Sequence, residues 1–370
     1  MKNKNIIRCK NCLNLSTRPR IKFDSKGICN ACLWTEEKKT IDWEKRTDEL
    51  KDLVSNAKKN TKSYDCLIPV SGGKDGSYVT HQLKTIYGLN PLCVTFRPPL
   101  EMDLGKNNLN NFIKSDIAHI HITPNAKSMK AFNKFGFIEK GFPYYGFLVG
   151  INCACLRIAS NFGINLVFYG EDGEVEYGGS TETKYSSTYD TEYKKKVYLE
   201  GGHDNIIKDM NLSDSESYFF QFPSSKELEN IKITHWSYFE SWDPYRNYLI
   251  AKEHFGLKEN ENSNSGTFTN FAQNDQYLYA LHTYMMYLKF GFGRATQDAG
   301  IEIRRGAMTR EQGINLINLY DSYYPKEFLE TYLDYFEMNI DEFNLILDKW
   351  ANKEIFEKIN GVWTQNFENK

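Results

Sequence analysis

A glycine-rich segment, Ser71-Gly-Gly-Lys-Asp-Gly-Ser77, constrains the fold of this 370-residue chain more than any other feature. The apolar run Tyr64–Val70 comes directly before it and predicts a buried strand. Residues Asp75 to Tyr87 predict a helix directly after it. Glycines let the backbone turn tightly between the two elements, so that N–H groups and the helix N-terminus point at one anion. The segment therefore predicts a phosphate site at the end of a strand.

The side chains of this loop favour phosphate over an ordinary glycine-rich turn, which is the alternative interpretation. Ser71 and Ser77 can donate hydroxyl hydrogen bonds to phosphate oxygens, and Lys74 adds a cation. Asp75 fits an anion site when Mg²⁺ bridges its carboxylate to the phosphates. The loop is not a Walker A motif, which ends in Gly-Lys followed by Ser or Thr.

Four of the eight cysteines form two closely spaced pairs, Cys9/Cys12 and Cys29/Cys32. Two residues within each pair and sixteen between the pairs match a four-thiolate zinc ribbon. Such a closed site has no open position for chemistry, so we expect a structural Zn²⁺ ion. A disulfide framework and an iron–sulfur cluster are the alternatives.

Three further apolar runs predict strands, at Pro91–Phe96, Ala118–Ile122 and Asn165–Tyr169. Helical patterns lie between the strands, for example from Leu104 to Ser115. This alternation predicts an α/β fold with a parallel sheet that helices cover on both faces.

The chain divides into four predicted regions. Residues 1–40 form the zinc ribbon, 41–62 a linker helix and 63–242 the α/β domain, which includes a long loop near 171–225 rich in Gly, Ser, Thr and Tyr. Residues 243–370 are predicted to be mainly helical, with a capping box at Thr309-Arg-Glu-Gln312.

Net charge is −2 from 46 basic and 48 acidic residues, which argues against an extended nucleic-acid interface. Apolar runs are too short for a membrane helix, and the N-terminal residues have no apolar segment of a secretory signal. We expect a cytoplasmic protein that binds neither nucleic acid nor membrane.

The Ser71–Ser77 loop resembles the PP-loop of the adenine nucleotide alpha-hydrolase-like ATP pyrophosphatases, which usually reads Ser-Gly-Gly-x-Asp-Ser. In this chain Gly76 comes before the last serine. Other segments narrow the resemblance to the N-acetyl sugar amidotransferase family, and together they span most of the chain. These are the four-cysteine ribbon, Tyr169-Gly-Glu-Asp-Gly-Glu-Val-Glu-Tyr-Gly-Gly179, Trp242-Asp-Pro, Lys289-Phe-Gly-Phe-Gly-Arg-Ala-Thr296 and Arg304-Arg-Gly-Ala-Met-Thr-Arg-Glu311.

The resemblance implies an enzyme of surface-polysaccharide and flagellin sugar biosynthesis, including acetamidino forms of nonulosonic acids such as pseudaminic acid. ATP would adenylate the oxygen of an acetamido group, and ammonia would displace AMP to leave an acetamidine. In this family the ammonia normally comes from a separate glutaminase subunit. The chain shows no glutaminase nucleophile, since Cys9 belongs to the ribbon.

Site residues follow from the loop and from the strand ends, because open α/β sheets bind ligands at the carboxyl edge. Lys74, Asp75 and Glu171 are the predicted catalytic residues, and Asp75 and Asp172 the predicted magnesium ligands. The predicted ATP and pyrophosphate contacts are Ser71, Gly72, Gly73, Lys74, Asp75, Gly76, Ser77, Thr95, Phe96, Arg97, Lys289 and Arg294. For the residues outside the loop, a strand end, a solvated acidic loop or a surface cation is the alternative.

Two other functions stay open at this point. A tRNA-thiolation enzyme shares a PP-loop and often a cysteine ribbon, but it usually has a catalytic cysteine pair. Cys153 and Cys155 are poorly spaced for that role. A non-catalytic nucleotide-binding module is the second alternative. Homo-oligomerisation is possible for any of these functions.

Overall fold

A five-stranded parallel sheet lies at the centre of the computed structural model, which describes residues 6–60 and 63–367. Within these residues the strand order is β3-β2-β1-β4-β5. The strands are β1 (Cys66–Pro69), β2 (Pro91–Phe96), β3 (Ala118–Ile122), β4 (Leu166–Tyr169) and β5 (Lys232–His235). All neighbours pair in parallel, so the predicted parallel sheet is confirmed.

Helices cover this sheet on both faces, as predicted, and further helices belong to the ribbon, the 171–225 region and the C-terminal region. In chain order they are α1 (Asn30–Glu37), α2 (Trp43–Asn60), α3 (Lys74–His81), α4 (Asp103–Ile113), α5 (Ala126–Phe135), α6 (Tyr145–Asn161), α7 (Gly173–Tyr177), α8 (Thr191–Tyr193), α9 (Asp204–Asp209), α10 (Asp214–Ser217), α11 (Ser225–Leu228), α12 (Pro244–Phe255), α13 (Leu278–Phe290), α14 (Arg294–Arg304), α15 (Arg310–Tyr320), α16 (Leu329–Phe336) and α17 (Ile340–Trp350). α5 and α6 pack on one face, and α2, α3, α4 and α12 on the other.

The central strand β1 shows why the sheet strands are apolar at every position. Leu67 packs with the α5–α6 face, whereas Cys66 and Ile68 pack with the opposite face, and all three are buried. A parallel strand that is covered on both faces gains from an apolar side chain at each residue, not at alternate ones.

β5 was not predicted, because its sequence Lys-Ile-Thr-His carries one strongly apolar residue. Pairing with β4 nevertheless buries Ile233, Thr234 and His235. The strand is an edge strand whose existence depends on its neighbour more than on its own composition.

The region predicted as a long loop near 171–225 contains short helices, α7 to α10, and α11 begins at Ser225. A polar residue precedes each of these helices, and the side chains of Asp172, Asp190 and Ser213 accept backbone N–H hydrogen bonds there. Local capping therefore orders a stretch that shows no apolar periodicity.

The C-terminal region buries a separate apolar cluster between α13, α16 and α17, with Phe137 from the α/β part inserted in it. The predicted helical character and the capping box of Thr309 and Gln312 are confirmed. A hairpin of β6 (Phe356–Ile359) and β7 (Val362–Gln365) was not predicted. Its turn residues Asn360 and Gly361 both have positive φ, 49° and 84°, and Asn-Gly is the dipeptide typical of such a turn.

The predicted division of the chain at residue 242 stays a prediction. α12, which follows that position, packs on the sheet side, where Phe255 stacks on Phe112 with ring centroids 5.0 Å apart.

Candidate functional site

The carboxyl ends of β1 and β4 lie side by side at the point where the strand order reverses. The glycine-rich loop follows β1, and Gly170 and Glu171 follow β4. A side chain at Gly170 would place its Cβ 2.7 Å from the Cβ of Asp75, so the two segments touch. Open α/β sheets bind ligands in the crevice at this point.

The loop adopts a conformation that needs its glycines. Gly72 has φ +76°, and a Cβ there would lie 2.5 Å from the backbone nitrogen of Leu109 in α4. Gly73 is the N-cap of α3, and no side chain caps its first N–H groups. The Ser77 hydroxyl is buried without a hydrogen-bond partner among the described residues. Gly72 thus allows the loop to pack closely on α4, and the uncapped N–H groups and the unpartnered hydroxyl fit a bound phosphate group.

Asp75 lies in the first turn of α3 and is held by three donors. Trp242 donates from Nε1 at 3.1 Å and Asn247 from Nδ2 at 2.8 Å, both to Oδ1, and Lys74 pairs with Oδ2. Burial raises the pKa of Asp75, but the Lys74 ammonium and the hydrogen bonds outweigh it and hold the pKa below its usual range. Asp75 is therefore an anion within the loop. Trp242 and Asn247 had no predicted role, although Trp242-Asp-Pro was a visible signal.

Glu171 lies beside Asp75, and its pKa is shifted in the opposite direction. Its Oε2 atom is buried and has no hydrogen-bond partner among the described residues. Burial and the nearby Asp75 charge raise the pKa of Glu171 to about 8, against the lowering effect of Lys74 and Arg294. A carboxyl group with a pKa near neutrality is suited to accept or donate a proton.

The two predicted C-terminal cations lie in different surroundings. Arg294, at the start of α14, pairs with Asp298 at 2.8 Å and lies 5.8 Å from the ring centroid of Tyr177. Its charge acts on Glu171, so it belongs to the site beside the loop. Lys289, at the end of α13, donates to the Lys140 carbonyl at 2.6 Å and lines a separate cavity.

The three predicted residues at the end of β2 are turned in different directions. The Thr95 hydroxyl donates to the Val70 carbonyl at 2.8 Å and contacts His119 Nε2 at 2.9 Å. The Phe96 ring is buried in the core on the α6 face. Arg97 is exposed, and its Nε donates to the Glu101 carboxylate at 2.7 Å. Their predicted ATP contacts remain predictions.

Asp172 is turned away from the loop and has both carboxylate oxygens occupied. Oδ1 accepts from the Tyr198 hydroxyl at 2.7 Å and from the Glu174 N–H at 3.1 Å, and Oδ2 accepts from the Thr183 hydroxyl. The structure thus brings Glu171, not Asp172, to the loop. The predicted magnesium contact of Asp172 stays a prediction.

The four ribbon cysteines form one buried cluster whose Sγ atoms all lie within 4.8 Å of one another. Neighbouring Sγ atoms are 3.5 Å (Cys12–Cys29), 3.7 Å (Cys29–Cys32) and 3.8 Å (Cys9–Cys32) apart. Thiolates about 2.3 Å from one tetrahedral ion lie about 3.8 Å apart, so the cluster has the size of a single metal site. The other four cysteines, Cys66, Cys93, Cys153 and Cys155, are buried outside it.

The ribbon docks on α7, the helix that follows Glu171. The Glu176 carboxylate accepts from Trp34 Nε1 at 3.0 Å and from Lys38 Nζ at 2.9 Å. Asn14 donates to the Tyr177 carbonyl at 3.1 Å, and Asn30 to the Gly179 carbonyl at 2.9 Å. These contacts were not predicted, because no sequence pattern relates the ribbon to a helix about 150 residues away.

A cavity of about 300 Å³ adjoins this helix. Its lining includes Arg18 from the ribbon, Glu174 from α7, Tyr144, His282 and Lys289. The ring centroid of Tyr177 lies 5.9 Å from the Arg18 guanidinium and 5.8 Å from the Arg294 guanidinium. Tyr177 thus contacts one cation of the cavity and one cation of the site beside the loop.

Comparison with known proteins finds a similarity in the C-terminal region. Residues 265–368 match the family model "LPS biosynthesis protein WbpG-like, C-terminal domain". This part of the chain is similar to a domain of lipopolysaccharide biosynthesis. The match includes α13 and α14, and so the predicted cations Lys289 and Arg294.

Two further similarities are weaker. An uncharacterized protein of Methanocaldococcus jannaschii is 37% identical over 89 residues, which are 24% of this chain and 32% of that protein. The chain thus matches about a third of the length of this curated relative. The U34-tRNA thiolase NcsA from Methanococcus maripaludis, solved with its [4Fe-4S] cluster, matches with a TM-score of 0.32 and 13% identity over 81% of this chain and 86% of that one. A similarity this low supports no conclusion about function.

Among the described residues, no helix combines the length and the apolar character that crossing a membrane requires.

Proposed function

We propose that this protein is an ATP-dependent, AMP-forming amidotransferase that converts the acetamido group of a sugar to an acetamidino group. The observation that carries the proposal is the contact between the glycine-rich loop and the Gly170–Glu171 turn, where an anionic and a protonatable carboxyl group meet. The similarity of residues 265–368 to a lipopolysaccharide biosynthesis domain supports a sugar substrate.

ATP is proposed to bind with its phosphates on the 71–77 loop. Backbone N–H groups at the start of α3, the Ser77 hydroxyl and the Lys74 ammonium would contact phosphate oxygens. Mg²⁺ would be held by Asp75, whose lowered pKa keeps it anionic. Bound Mg²⁺ would neutralise charge on the departing pyrophosphate.

The proposed reaction has two steps. The acetamido oxygen attacks the α-phosphorus of ATP, the bond to the β-phosphate breaks, and pyrophosphate leaves with that electron pair. The amide nitrogen releases its proton to solvent as the carbon–nitrogen double bond of the imidate forms. Ammonia then attacks the carbon of the O-adenylyl imidate, the carbon–oxygen bond breaks, and AMP leaves. The attacking nitrogen loses a proton, which Glu171 is placed to accept because its pKa of about 8 is close to the working pH.

Ammonia is proposed to come from a separate glutaminase subunit. The cysteines of this chain support an external source, since four form the ribbon cluster and the other four are buried. Burial raises the pKa of Cys153 and Cys155, which disfavours the thiolate that a nucleophile needs.

Zn²⁺ is the proposed ion of the ribbon. Four thiolates at single-ion separation form a closed tetrahedral set, which is the arrangement of structural zinc. A four-iron cluster would hold its thiolates further apart.

The function is tested by incubating the purified protein with ATP, Mg²⁺, ammonium and a panel of acetamido sugars. We expect AMP and pyrophosphate in equal amounts, together with a sugar product whose mass falls by the difference between an oxygen atom and an NH group. ADP formation, or ATP turnover with an unmodified sugar in every case, would contradict the proposal.

A further inference from the structure

The cavity beside Tyr177 has an unbalanced set of charges. Five charged residues line it: Arg18, Arg20, Lys289, Glu174 and Glu200. Arg20 donates to both carboxylate oxygens of Glu174, at 2.8 and 3.0 Å, so these two charges neutralise each other. Arg18 and Lys289 then face the cavity with Glu200 as the one remaining acid among the lining residues, and Glu200 is exposed.

Arg18 is held in place by aromatic rings. Its guanidinium carbon lies 5.9 Å from the centroid of Tyr177 and 5.7 Å from that of Phe292. Its Nε atom is buried and has no hydrogen-bond partner among the described residues. Burial lowers the pKa of Arg18 to about 10, so the group stays charged near neutrality. A desolvated guanidinium with an unused donor gains strongly from an oxygen anion.

Lys289 faces the same cavity from a different element. Its Nζ donates to the Lys140 carbonyl at 2.6 Å, and the ammonium lies 4.9 Å from the ring centroid of Trp350. None of its contacts in the described part of the chain is an ion pair with a carboxylate. A half-buried ammonium with one neutral acceptor has donors left for a ligand.

We propose that Arg18 of the ribbon and Lys289 of α13 form an anion subsite that binds a carboxylate or phosphate group of the sugar substrate. Aromatic residues of the same cavity, Phe142, Tyr144 and His282, would contact the sugar ring. The volume of about 300 Å³ is at the lower end of the range for small-molecule sites. The inference rests on the proposed function in taking an acetamido sugar as the substrate.

Placing Arg18 in the subsite gives the ribbon a part in substrate binding. The ribbon then contributes a wall of the substrate site as well as folding free energy. The Tyr177 ring lies near both the Arg18 guanidinium of the cavity and the Arg294 guanidinium, whose charge acts on Glu171, so the subsite lies one aromatic side chain away from the site beside the loop.

The subsite is tested by titration calorimetry on the full-length, metal-loaded protein in the absence of ATP. The probes are N-acetylneuraminic acid with a carboxylate, UDP-N-acetylglucosamine with phosphates, and neutral N-acetylglucosamine. We expect an acidic probe to bind at least about tenfold more tightly than the neutral one, the usual gain from a charge-assisted hydrogen bond. If only N-acetylneuraminic acid binds tightly, the subsite binds a carboxylate; if only UDP-N-acetylglucosamine does, it binds a phosphate.

Arg18→Gln and Lys289→Gln should each remove this preference and leave the affinity for the neutral probe unchanged. The matched control is Lys349→Gln, since Lys349 also lies near Trp350, at 5.8 Å, but pairs with Glu139 outside the cavity. A loss of metal or a lower thermal midpoint identifies a misfolded Arg18→Gln variant. In that case the Lys289→Gln variant, whose substitution lies outside the ribbon, tests the subsite by itself.

The subsite is contradicted if the neutral probe binds as tightly as both acidic ones, if neither acidic probe binds, or if both folded variants keep wild-type affinity for them. Binding preference without ATP-dependent turnover would instead contradict the proposed function alone, so the two failures are distinguishable.

Discussion

At the scale of single residues, the site depends on two carboxyl groups whose environments differ. Asp75 accepts hydrogen bonds from Trp242 and Asn247 and pairs with Lys74, so its pKa is lowered. Glu171 lies beside that negative charge, and its buried Oε2 atom has no hydrogen-bond partner in the described part of the chain, so its pKa rises to about 8. Groups whose pKa values are moved apart in this way commonly divide the roles of charge stabilisation and proton transfer.

Replacing Asp75 with Ala should abolish ATP-dependent pyrophosphate release while the fold remains intact. Loss of a magnesium-holding carboxylate where pyrophosphate departs costs several kcal/mol of transition-state stabilisation. Pyrophosphate release is measured with a coupled assay and folding by circular dichroism. Asp103→Ala is the matched control, because Asp103 occupies the first turn of the next helix, α4, and is exposed. Wild-type release by a folded Asp75→Ala variant would exclude this role.

The plot of kcat/KM against pH, measured at a constant concentration of free ammonia, should have an inflexion near pH 8 that is due to Glu171. The carboxylate accepts a proton only when it is ionised, so activity rises with pH through the pKa of about 8. Glu171→Gln should lower kcat/KM by about 100-fold, within the range for a lost general base, and flatten the profile. An unchanged profile in the folded variant would assign the inflexion to another group.

At the scale of secondary-structure elements, two short segments meet at the site. The loop between β1 and α3 requires Gly72, because a positive φ and the nearby backbone of Leu109 both exclude a side chain. The helix α7 is held by the ribbon through Glu176, Tyr177 and Gly179. Each segment is therefore in contact with an element from another part of the chain: the loop with α4, and α7 with the ribbon.

Gly72→Ala should abolish ATP binding and destabilise the protein by more than the conformational strain alone, which is about 1 kcal/mol. The added Cβ would meet the α4 backbone and displace the loop. Equilibrium ATP binding and urea unfolding measure the two effects. Gly163→Ala is the control, since Gly163 has φ +66° but no atom within 4 Å of an added Cβ. An equal loss of unfolding free energy in the two variants would show that the close approach of Gly72 to α4 does not affect stability.

Cys29→Ser should reduce the metal content and loosen α7 at the same time. Structural thiolate sites contribute folding free energy directly, and the folded ribbon presents the donors to Glu176. Metal analysis and hydrogen exchange of the 173–179 peptide are the measurements. Cys93→Ala removes a buried thiol outside the cluster and should keep the metal. Metal loss without faster exchange in that peptide would show that α7 does not depend on the ribbon.

At the scale of the whole molecule, the site is assembled from distant parts of the chain. The loop and Glu171 follow strands of the sheet, Trp242 comes before α12, Asn247 lies in its first turn, and Arg294 comes from α14. The C-terminal region, whose match is to a lipopolysaccharide biosynthesis domain, thus contributes directly to a site built on the sheet.

The purified chain should use free ammonium and should not use glutamine. Ammonium has a pKa near that of lysine, about 10, so the reactive free base is a small fraction at neutral pH. At a fixed total ammonium concentration, turnover should therefore rise with pH until the protein unfolds. AMP formation with ammonium is compared with AMP formation with glutamine. Efficient use of glutamine without a second polypeptide would mean that this chain contains a glutaminase nucleophile.

Local features were predictable from the sequence because the chemistry lies within a few consecutive residues. The Ser71–Ser77 loop, the paired ribbon cysteines and the apolar strands each depend on short-range spacing or composition, and the structure has the expected loop conformation, cysteine cluster and parallel sheet. The Asn360-Gly361 turn was predictable on the same grounds, although the C-terminal region was interpreted as mainly helical.

Side-chain direction and long-range contacts were decided by the tertiary structure alone. Phe96 at the end of β2 is buried in the core. Glu171 and Asp172 both follow β4, yet Asp172 is turned toward Tyr198 and Thr183, whereas Glu171 lies beside Asp75 with an oxygen that has no hydrogen-bond partner among the described residues. Packing selects among these directions, and strand position does not encode them. Arg18 reaches the cavity because the ribbon docks on α7, about 150 residues later in the chain. Sequence determined which chemistry the segments carry, and the packing of elements far apart in the chain decided which of those groups meet.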